Sequence, residues 1–305
     1  MFDVVRVQKS TAIAPEQLGS KYKFWYQDDD GRRMLFKGEE RGTGEDWAEK
    51  VADCLAGLLG LPHVHYELAE LYERDTFLQP GVVCENCAPP PRMLVLGNEL
   101  LFAFDPSYPL RERKYRVREH TVAAVAEVLR ELRCLPPPWS EETPGGVSAQ
   151  GIFVGYLMLD AWIANQDRHH ENWGALAAPL LHLAPTFDHG AALARNLTDD
   201  ERRERLSTRD KNRTVATFAT KARSAFYRTP TNGRPLGTLE AFLEFAELTP
   251  NAGEYWAQRL AKIDRTSVLA ILNQVPQSRM SDVTREFTLQ LLEVNQRRLL
   301  ENWVK

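Results

Sequence analysis

Apolar and polar positions alternate differently in two parts of this chain. As far as about residue 90, short runs of β-branched and aromatic residues lie between polar breaks. They are Phe2-Asp3-Val4-Val5-Arg6-Val7, Lys23-Phe24-Trp25-Tyr26, Met34-Leu35-Phe36, His63 to Leu71 and Gly81 to Glu85. Runs of this length and composition predict strands. Asp28-Asp29-Asp30-Gly31 supplies a turn that joins the second run to the third as a hairpin. One helix interrupts the strands, because Trp47, Val51, Leu55, Leu58 and Leu59 recur at helical spacing. Thr43 and the early acids suit its start, and Gly60 before Leu61-Pro62 suits its end. Cys84 to Pro91 then crosses to the second part, and Ala88-Pro89-Pro90-Pro91 makes the crossing stiff.

From about residue 93 the pattern becomes helical. Glu119 to Arg133 carries Val122, Val125, Ala126, Leu129 and Leu132 on one face. Pro136-Pro137-Pro138 and Pro144-Gly145-Gly146 mark a surface loop. Val147 to Asn165 is nearly all apolar, which predicts a helix buried all round. Trp173 to Leu176 and Leu180 to Pro185 predict a short hairpin, and helices are expected over Leu239 to Ala246, Tyr255 to Ile263, Ser267 to Gln274 and Ser281 to Val304. The expected fold class is α+β in two lobes: a β-rich lobe with one helix over 1–92 and a mostly helical lobe over 93–305.

Composition adds limits. The chain has 305 residues, enough for two lobes around a proper core, with 43% hydrophobic and 26% charged residues as in an ordinary globular protein. A net charge of -4 argues against direct nucleic-acid binding. No run is long and apolar enough for a membrane span, and Met1 to Lys9 does not resemble a secretory leader, so a cytoplasmic protein is expected. Four cysteines are too few for a disulfide framework at this length. Cys84-Glu85-Asn86-Cys87 has metal or redox spacing, but without a second Cys pair it reads as the apolar end of a strand.

The candidate chemistry gathers after the buried helix. Asp167, Asn172 five residues on, and Asp188 sixteen residues after that stand at the ends of apolar segments. Phosphoryl transfer needs a carboxylate to orient the attacking hydroxyl and an oxygen-ligand pair to hold Mg²⁺ against the phosphates. Asp167 suits the first role, Asn172 and Asp188 the second. Lys37 ends a strand and is either a solvated edge residue or an ammonium that reaches nucleotide phosphates, with Glu49 of the following helix as its partner. A zinc site from His169, His170, His182 and His189 lacks both a His-x-x-x-His pair and a neighbouring Cys.

Asp167-Arg168-His169 with Asn172, followed by Phe187-Asp188-His189-Gly190, resembles the catalytic loop and metal-binding turn of the HipA-like bacterial serine/threonine kinases and the phosphoinositide kinases. Ordinary protein kinases write this loop as His-Arg-Asp. Glu49 with Leu55-Ala56 and Leu59-Gly60-Leu61-Pro62, and Leu18-Gly19-Ser20-Lys21-Tyr22-Lys23-Phe24, extend the resemblance to HipA-like kinases, with Leu18 and Lys21 departing from that family's Ser and Gln. The resemblance implies a bilobal kinase fold using ATP and Mg²⁺ to phosphorylate a Ser or Thr of a protein. It implies Lys37 as phosphate clamp, Glu49 as its partner, Gly19 and Ser20 as a phosphate loop, and His169 beside either the γ-phosphate or Asp167. Residues 83–86 would lie near the base, and His189-Gly190 would let the backbone turn close to metal and phosphate. A toxin role with an antitoxin partner follows only by analogy. A lipid or small-molecule kinase and a silent pseudokinase scaffold stand as alternatives. The basic stretch from 199 to 235 is either a docking segment for an acidic partner or a solvated surface.

Overall fold

The computed structural model describes residues 1–16, 22–39, 42–110, 115–131 and 147–303. The expected loop around Pro136 to Gly146 lies outside them. The first part is a six-stranded sheet in the order β1-β5-β6-β4-β3-β2. Its strands are β1 (Val4–Gln8), β2 (Ala14–Pro15), β3 (Lys23–Gln27), β4 (Arg33–Gly38), β5 (Tyr66–Glu73) and β6 (Thr76–Glu85). The β3–β4 hairpin turns at Gly31, whose φ of 79° is a left-handed conformation that favours glycine. Only β1 breaks the antiparallel pattern, running parallel to β5.

The two faces of the sheet have separate cores. Phe24, Tyr26, Phe36 and Val83 pack together on one face, while Leu35, Tyr66, Leu68, Val82 and Cys84 pack on the other. Lys37 follows Leu35 by two residues and therefore shares the second face. A Cβ at Gly81, on the neighbouring strand, would lie 2.3 Å from the Lys37 carbonyl oxygen. Glycine at 81 is thus what lets β6 close against β4 beside Lys37.

Helix α1 (Glu45–Leu59) connects the parts. Its start differs from the sequence expectation: the N-cap is Gly44 (φ 80°), and the Glu39 carboxylate, rather than Thr43, accepts the Glu45 N–H. Trp47, Val51, Leu55 and Leu59 join the large core that also holds the later helices. Arg279 pairs with Asp46 and donates to the Ala69 carbonyl at 2.9 Å, and Arg259 bonds the Leu59 carbonyl. The helix that carries Glu49 is therefore pinned from both sides.

The second part contains a small sheet, β7 (Met93–Leu96), β8 (Gly174–Ala177) and β9 (Leu181–Leu183), with β8 in the middle. Its helices are α2 (Gly97–Phe104), α3 (Val122–Glu131), α4 (Ala149–Ile163), α5 (Asp199–Ser207), α6 (Val215–Ala219), α7 (Thr238–Leu248), α8 (Pro250–Ala261), α9 (Arg265–Leu272) and α10 (Asp282–Trp303). Every residue of α4 except Gln150 is buried, as its unbroken apolar sequence predicts. Ser148 caps its start by accepting the Gly151 N–H at 3.1 Å. Trp256 donates to the Gly151 carbonyl at 2.7 Å, and Trp162 and Asn295 exchange bonds with α10 and α4 backbone at 3.2 and 3.0 Å. The end of α4 is consequently a fixed point. In the basic stretch, Arg203, Arg213 and Arg228 pair with Asp200, Glu204 and Glu244, so much of its charge is spent locally.

Among the buried imidazoles, His120 and His189 have pKa values that burial pushes down. His120 accepts the Trp173 indole N–H at 3.1 Å, and burial pushes its pKa down to about 3. His189 is pushed well below the usual range by burial and by the Arg168 guanidinium. Below pH about 6.5 the unfolded chain binds protons at these positions that the folded chain refuses. Their contribution to stability is thus complete above that pH and drains away below it, at about 1.4 kcal/mol per pH unit for each ring. The exposed His65, whose pKa Asp53 raises, offsets part of the loss. Guanidinium unfolding at pH 7.5 and pH 5.5 is expected to show a clearly lower stability at the lower pH; a flat profile would contradict the neutral burial of these rings.

Candidate active site

The site is built outward from the end of α4. Ala164 turns the chain with φ 53°, and Asp160, buried in the last turn of the helix, faces the loop that follows. Arg168 grips Asp160 with two parallel bonds, Nε to Oδ2 at 2.7 Å and Nη2 to Oδ1 at 2.8 Å, in the fork geometry that guanidinium and carboxylate share. Asn165 donates to the same Oδ1 at 2.8 Å. Arg168 also donates to the Asn172 carbonyl at 2.9 Å and to His189 Nε2 at 3.1 Å. One buried cation thereby ties together α4, the loop and the turn at 186–190.

This clamp positions Asp167 by its backbone. Its N–H donates to Asn165 Oδ1 at 3.2 Å, and its carbonyl accepts from Asn172 Nδ2 at 2.6 Å. Its side chain remains about one-third exposed, 34%. His169 is buried, with Nδ1 accepting the Glu171 N–H at 3.1 Å and Nε2 3.9 Å from Asp167 Oδ1. The ring proton is thus assigned to Nε2, the nitrogen nearer Asp167.

Lys37 is the hub of the opposite wall. Its Nζ lies 3.3 Å from Glu49 Oε1, 3.2 Å from Tyr66 Oη and 3.4 Å from Asp188 Oδ1. Burial alone would lower its pKa, but the charges of Asp188 and Glu49 outweigh burial and hold it well above the ordinary lysine value. The ammonium is therefore charged. Glu49 reaches further, accepting the His189 N–H on Oε2 at 2.7 Å, so a single carboxylate fixes both Lys37 and the turn that bears Asp188.

A cavity of about 240 Å³ opens in front of this hub. Leu35, Val64, Cys84, Leu94, Leu96 and Phe187 form its apolar walls, and Lys37, Asn172 and Asp188 also line it. A second cavity, also about 240 Å³, is lined by Asp167 together with Arg116, Gln166, His169, Ser224 and Tyr227 among others.

No protein-family model and no curated protein sequence matches this chain. Solved structures do. The Helicobacter pylori proinflammatory kinase CtkA superposes with a TM-score of 0.68 at 18% identity, covering 94% of each chain. HipA from the Shewanella oneidensis MR-1 toxin–antitoxin system, solved with HipB and operator DNA, gives a TM-score of 0.54 at 12% identity over 95% of this chain and 65% of that one. The chain has the HipA-like kinase fold.

Within this kinase fold, the expected residues Lys37, Asn172 and Asp188 line the first cavity with Glu49 bonded to Lys37 behind it, and Asp167 and His169 line the second, joined to the first by the Asn172 bond to the Asp167 carbonyl. Gly19 and Ser20 lie outside the described residues. Two local expectations change. The left-handed turn beside the cavity is made by Asp188 itself (φ 60°), not by Gly190, where a Cβ would find only ordinary contacts from 3.4 Å. Asp tolerates that conformation better than most side chains. Val83 lies behind the sheet, and the stretch lining the cavity runs from Cys84 to Ala88. Sequence reasoning missed Tyr66, whose hydroxyl accepts from Lys37 and, at 3.4 Å, from the Asp188 N–H. It also missed the role of Asp160, although an acid inside an all-apolar helix eight residues before Arg168 is a usable signal. No described helix is long and apolar enough to cross a membrane.

Proposed function

We propose that this chain is an ATP- and Mg²⁺-dependent kinase that transfers the γ-phosphate to a Ser or Thr hydroxyl of a protein. The observation that carries the reading is that Lys37, Asn172 and Asp188 line one cavity while Asp167, whose carbonyl Asn172 holds at 2.6 Å, lines a second. The donor set fits a hard cation, because Asp188 offers a carboxylate and Asn172, whose Nδ2 is committed to the Asp167 carbonyl, offers its Oδ1. Mg²⁺ bound there would neutralise phosphate charge. Lys37, held charged by Glu49 and Asp188, grips phosphate oxygens, the apolar walls take the base beside 84–88, and Asp167 accepts the acceptor hydroxyl's hydrogen bond while His169 orients it.

The lobe boundary between 92 and 93 belongs to the same proposal, supported by the pairing of β7 with β8 rather than with the six-stranded sheet. So do a cytoplasmic setting and, on the ground that HipA was solved with HipB, a toxin-like activity restrained by an antitoxin partner.

The test is transfer from γ-labelled ATP by the full chain, alone and in a bacterial lysate, with EDTA and with Mg²⁺ restored. Label on Ser or Thr of the chain or of a lysate protein, lost with EDTA and regained with Mg²⁺, is expected. Label only in lipid or small molecules would move the acceptor class, and nucleotide binding without transfer would leave a scaffold.

A further inference from the structure

Outside the nucleotide cavity, metal-competent side chains gather where α1 meets β5. Asp53 stands on the third turn of α1, and His63 and His65 lie in the connection to β5. His63 Nε2 is 3.0 Å and His65 Nδ1 is 3.2 Å from the same atom, Asp53 Oδ1. The three ligand atoms all lie within 4.8 Å of one another. A tetrahedral ion with bonds of about 2.0–2.1 Å to nitrogen and oxygen holds its ligand atoms about 3.3 Å apart. Two edges of the cluster are already close to that length.

The hydrogen bonds point the same way. His63 Nδ1 is 2.6 Å from the Leu61 carbonyl oxygen, which can only accept, so Nδ1 carries a proton. Nε2 then faces Asp53 Oδ1, an acceptor, so a proton or a metal ion must lie between them. An N–H donated to a backbone carbonyl is the usual way a metal-bound imidazole is oriented. Asp53 Oδ2 is otherwise engaged, by Lys50 Nζ at 3.1 Å and the Tyr66 N–H at 3.3 Å, which leaves Oδ1 to the imidazoles. Lys50 also lies 3.0 Å from Glu67, so two carboxylates face one ammonium and the surroundings favour a cation. The His65 side chain is 81% exposed, giving access from solvent.

We propose that Asp53, His63 and His65 form a site for Zn²⁺ or a similar first-row divalent ion, completed by water, that clips α1 to β5. Imidazole with carboxylate suits such ions. The clip sits beside the elements that hold Lys37 and Asp188. Asp53 is one turn beyond Glu49, His65 precedes Tyr66, and the His63 backbone bridges to Thr186, two residues before Asp188.

The test uses the untagged full chain, free of nucleotide and Mg²⁺. Zinc is titrated by calorimetry, and Co²⁺ is used as a visible-absorption probe. One ion per chain is expected, with the d–d bands of a four-coordinate site. His65→Ala alters an exposed side chain that the fold does not need, so it is expected to remove the bands and weaken zinc binding at least about tenfold. Asp188→Ala, which empties the nucleotide end of its carboxylate, is expected to leave the zinc isotherm unchanged. No uptake by the wild type, binding by His65→Ala equal to wild type, or loss in Asp188→Ala alone would each overturn the proposal. None of these outcomes depends on kinase activity.

Discussion

Asp167→Asn is expected to lower turnover in phosphoryl transfer by about 10²–10⁴-fold, the usual worth of a positioned general base. Nucleotide affinity should stay nearly unchanged. The separation follows from how Asp167 is held. The loop grips its backbone, through Asn165 and Asn172, and an amide of the same shape leaves both bonds intact. What changes is the exposed carboxylate that faces the second cavity. Asp188→Ala should act differently, because that carboxylate belongs to the charge cluster around Lys37. Its loss is expected to weaken nucleotide binding as well as turnover. Steady-state kinetics together with calorimetric binding of ATP distinguish the two patterns. If Asp167→Asn kept full turnover, the acceptor-orienting role would be lost. If it abolished ATP binding in a folded chain, Asp167 would belong to the nucleotide site instead.

The parts of the cleft that were legible in sequence are those set by local periodicity. Lys37 falls on the cavity face because it is two residues from Leu35 on one strand. Glu49 lies in a helix whose apolar stripe is plain. Asp167 and Asp188 follow apolar segments whose ends they mark. The parts that were not legible depend on which distant strand lies next to which. Tyr66 reaches Lys37 only because β6 runs between their strands, setting Tyr66 opposite Cys84 and Leu35 opposite Cys84 on the other side. The same register puts Val83 against Phe36 behind the sheet, a parity that no count along β6 alone reveals. The parallel pairing of β1 with β5 joins segments about sixty residues apart, beyond the reach of a turn signal. The cap on α1 comes from Glu39, outside the helix pattern altogether. The strained turn at Asp188 shows the same limit. A glycine two residues on looks like the flexible element, yet Glu49 fixes the His189 N–H and Tyr66 accepts that of Asp188, and these long-range bonds decide where the backbone bends.

The buried clamp beneath the loop should carry the largest cost in stability. Removing either partner of a buried ion pair leaves an uncompensated charge, at about 3–5 kcal/mol. Arg168 is 2% exposed and Asp160 3%, so neither has water to turn to. Arg168→Ala and Asp160→Ala are each expected to lose stability on that scale, read from guanidinium unfolding. Replacing both at once, Asp160→Leu with Arg168→Met, removes the charge problem, and such swaps are often neutral for a simple pair. This pair is not simple. Arg168 also serves the Asn172 carbonyl and His189, and Asp160 also receives Asn165. Each buried group left without its partner costs about 1–3 kcal/mol, so the double variant should recover only part of the loss. Its turnover should stay low even where the chain is fully folded, because Asn165 and Asn172, which aim Asp167, have lost their own supports. A double variant as stable and as active as wild type would show that the loop holds its shape without the clamp; low turnover in a folded double variant would assign to Asp160 and Arg168 the positioning of Asp167 rather than stability alone.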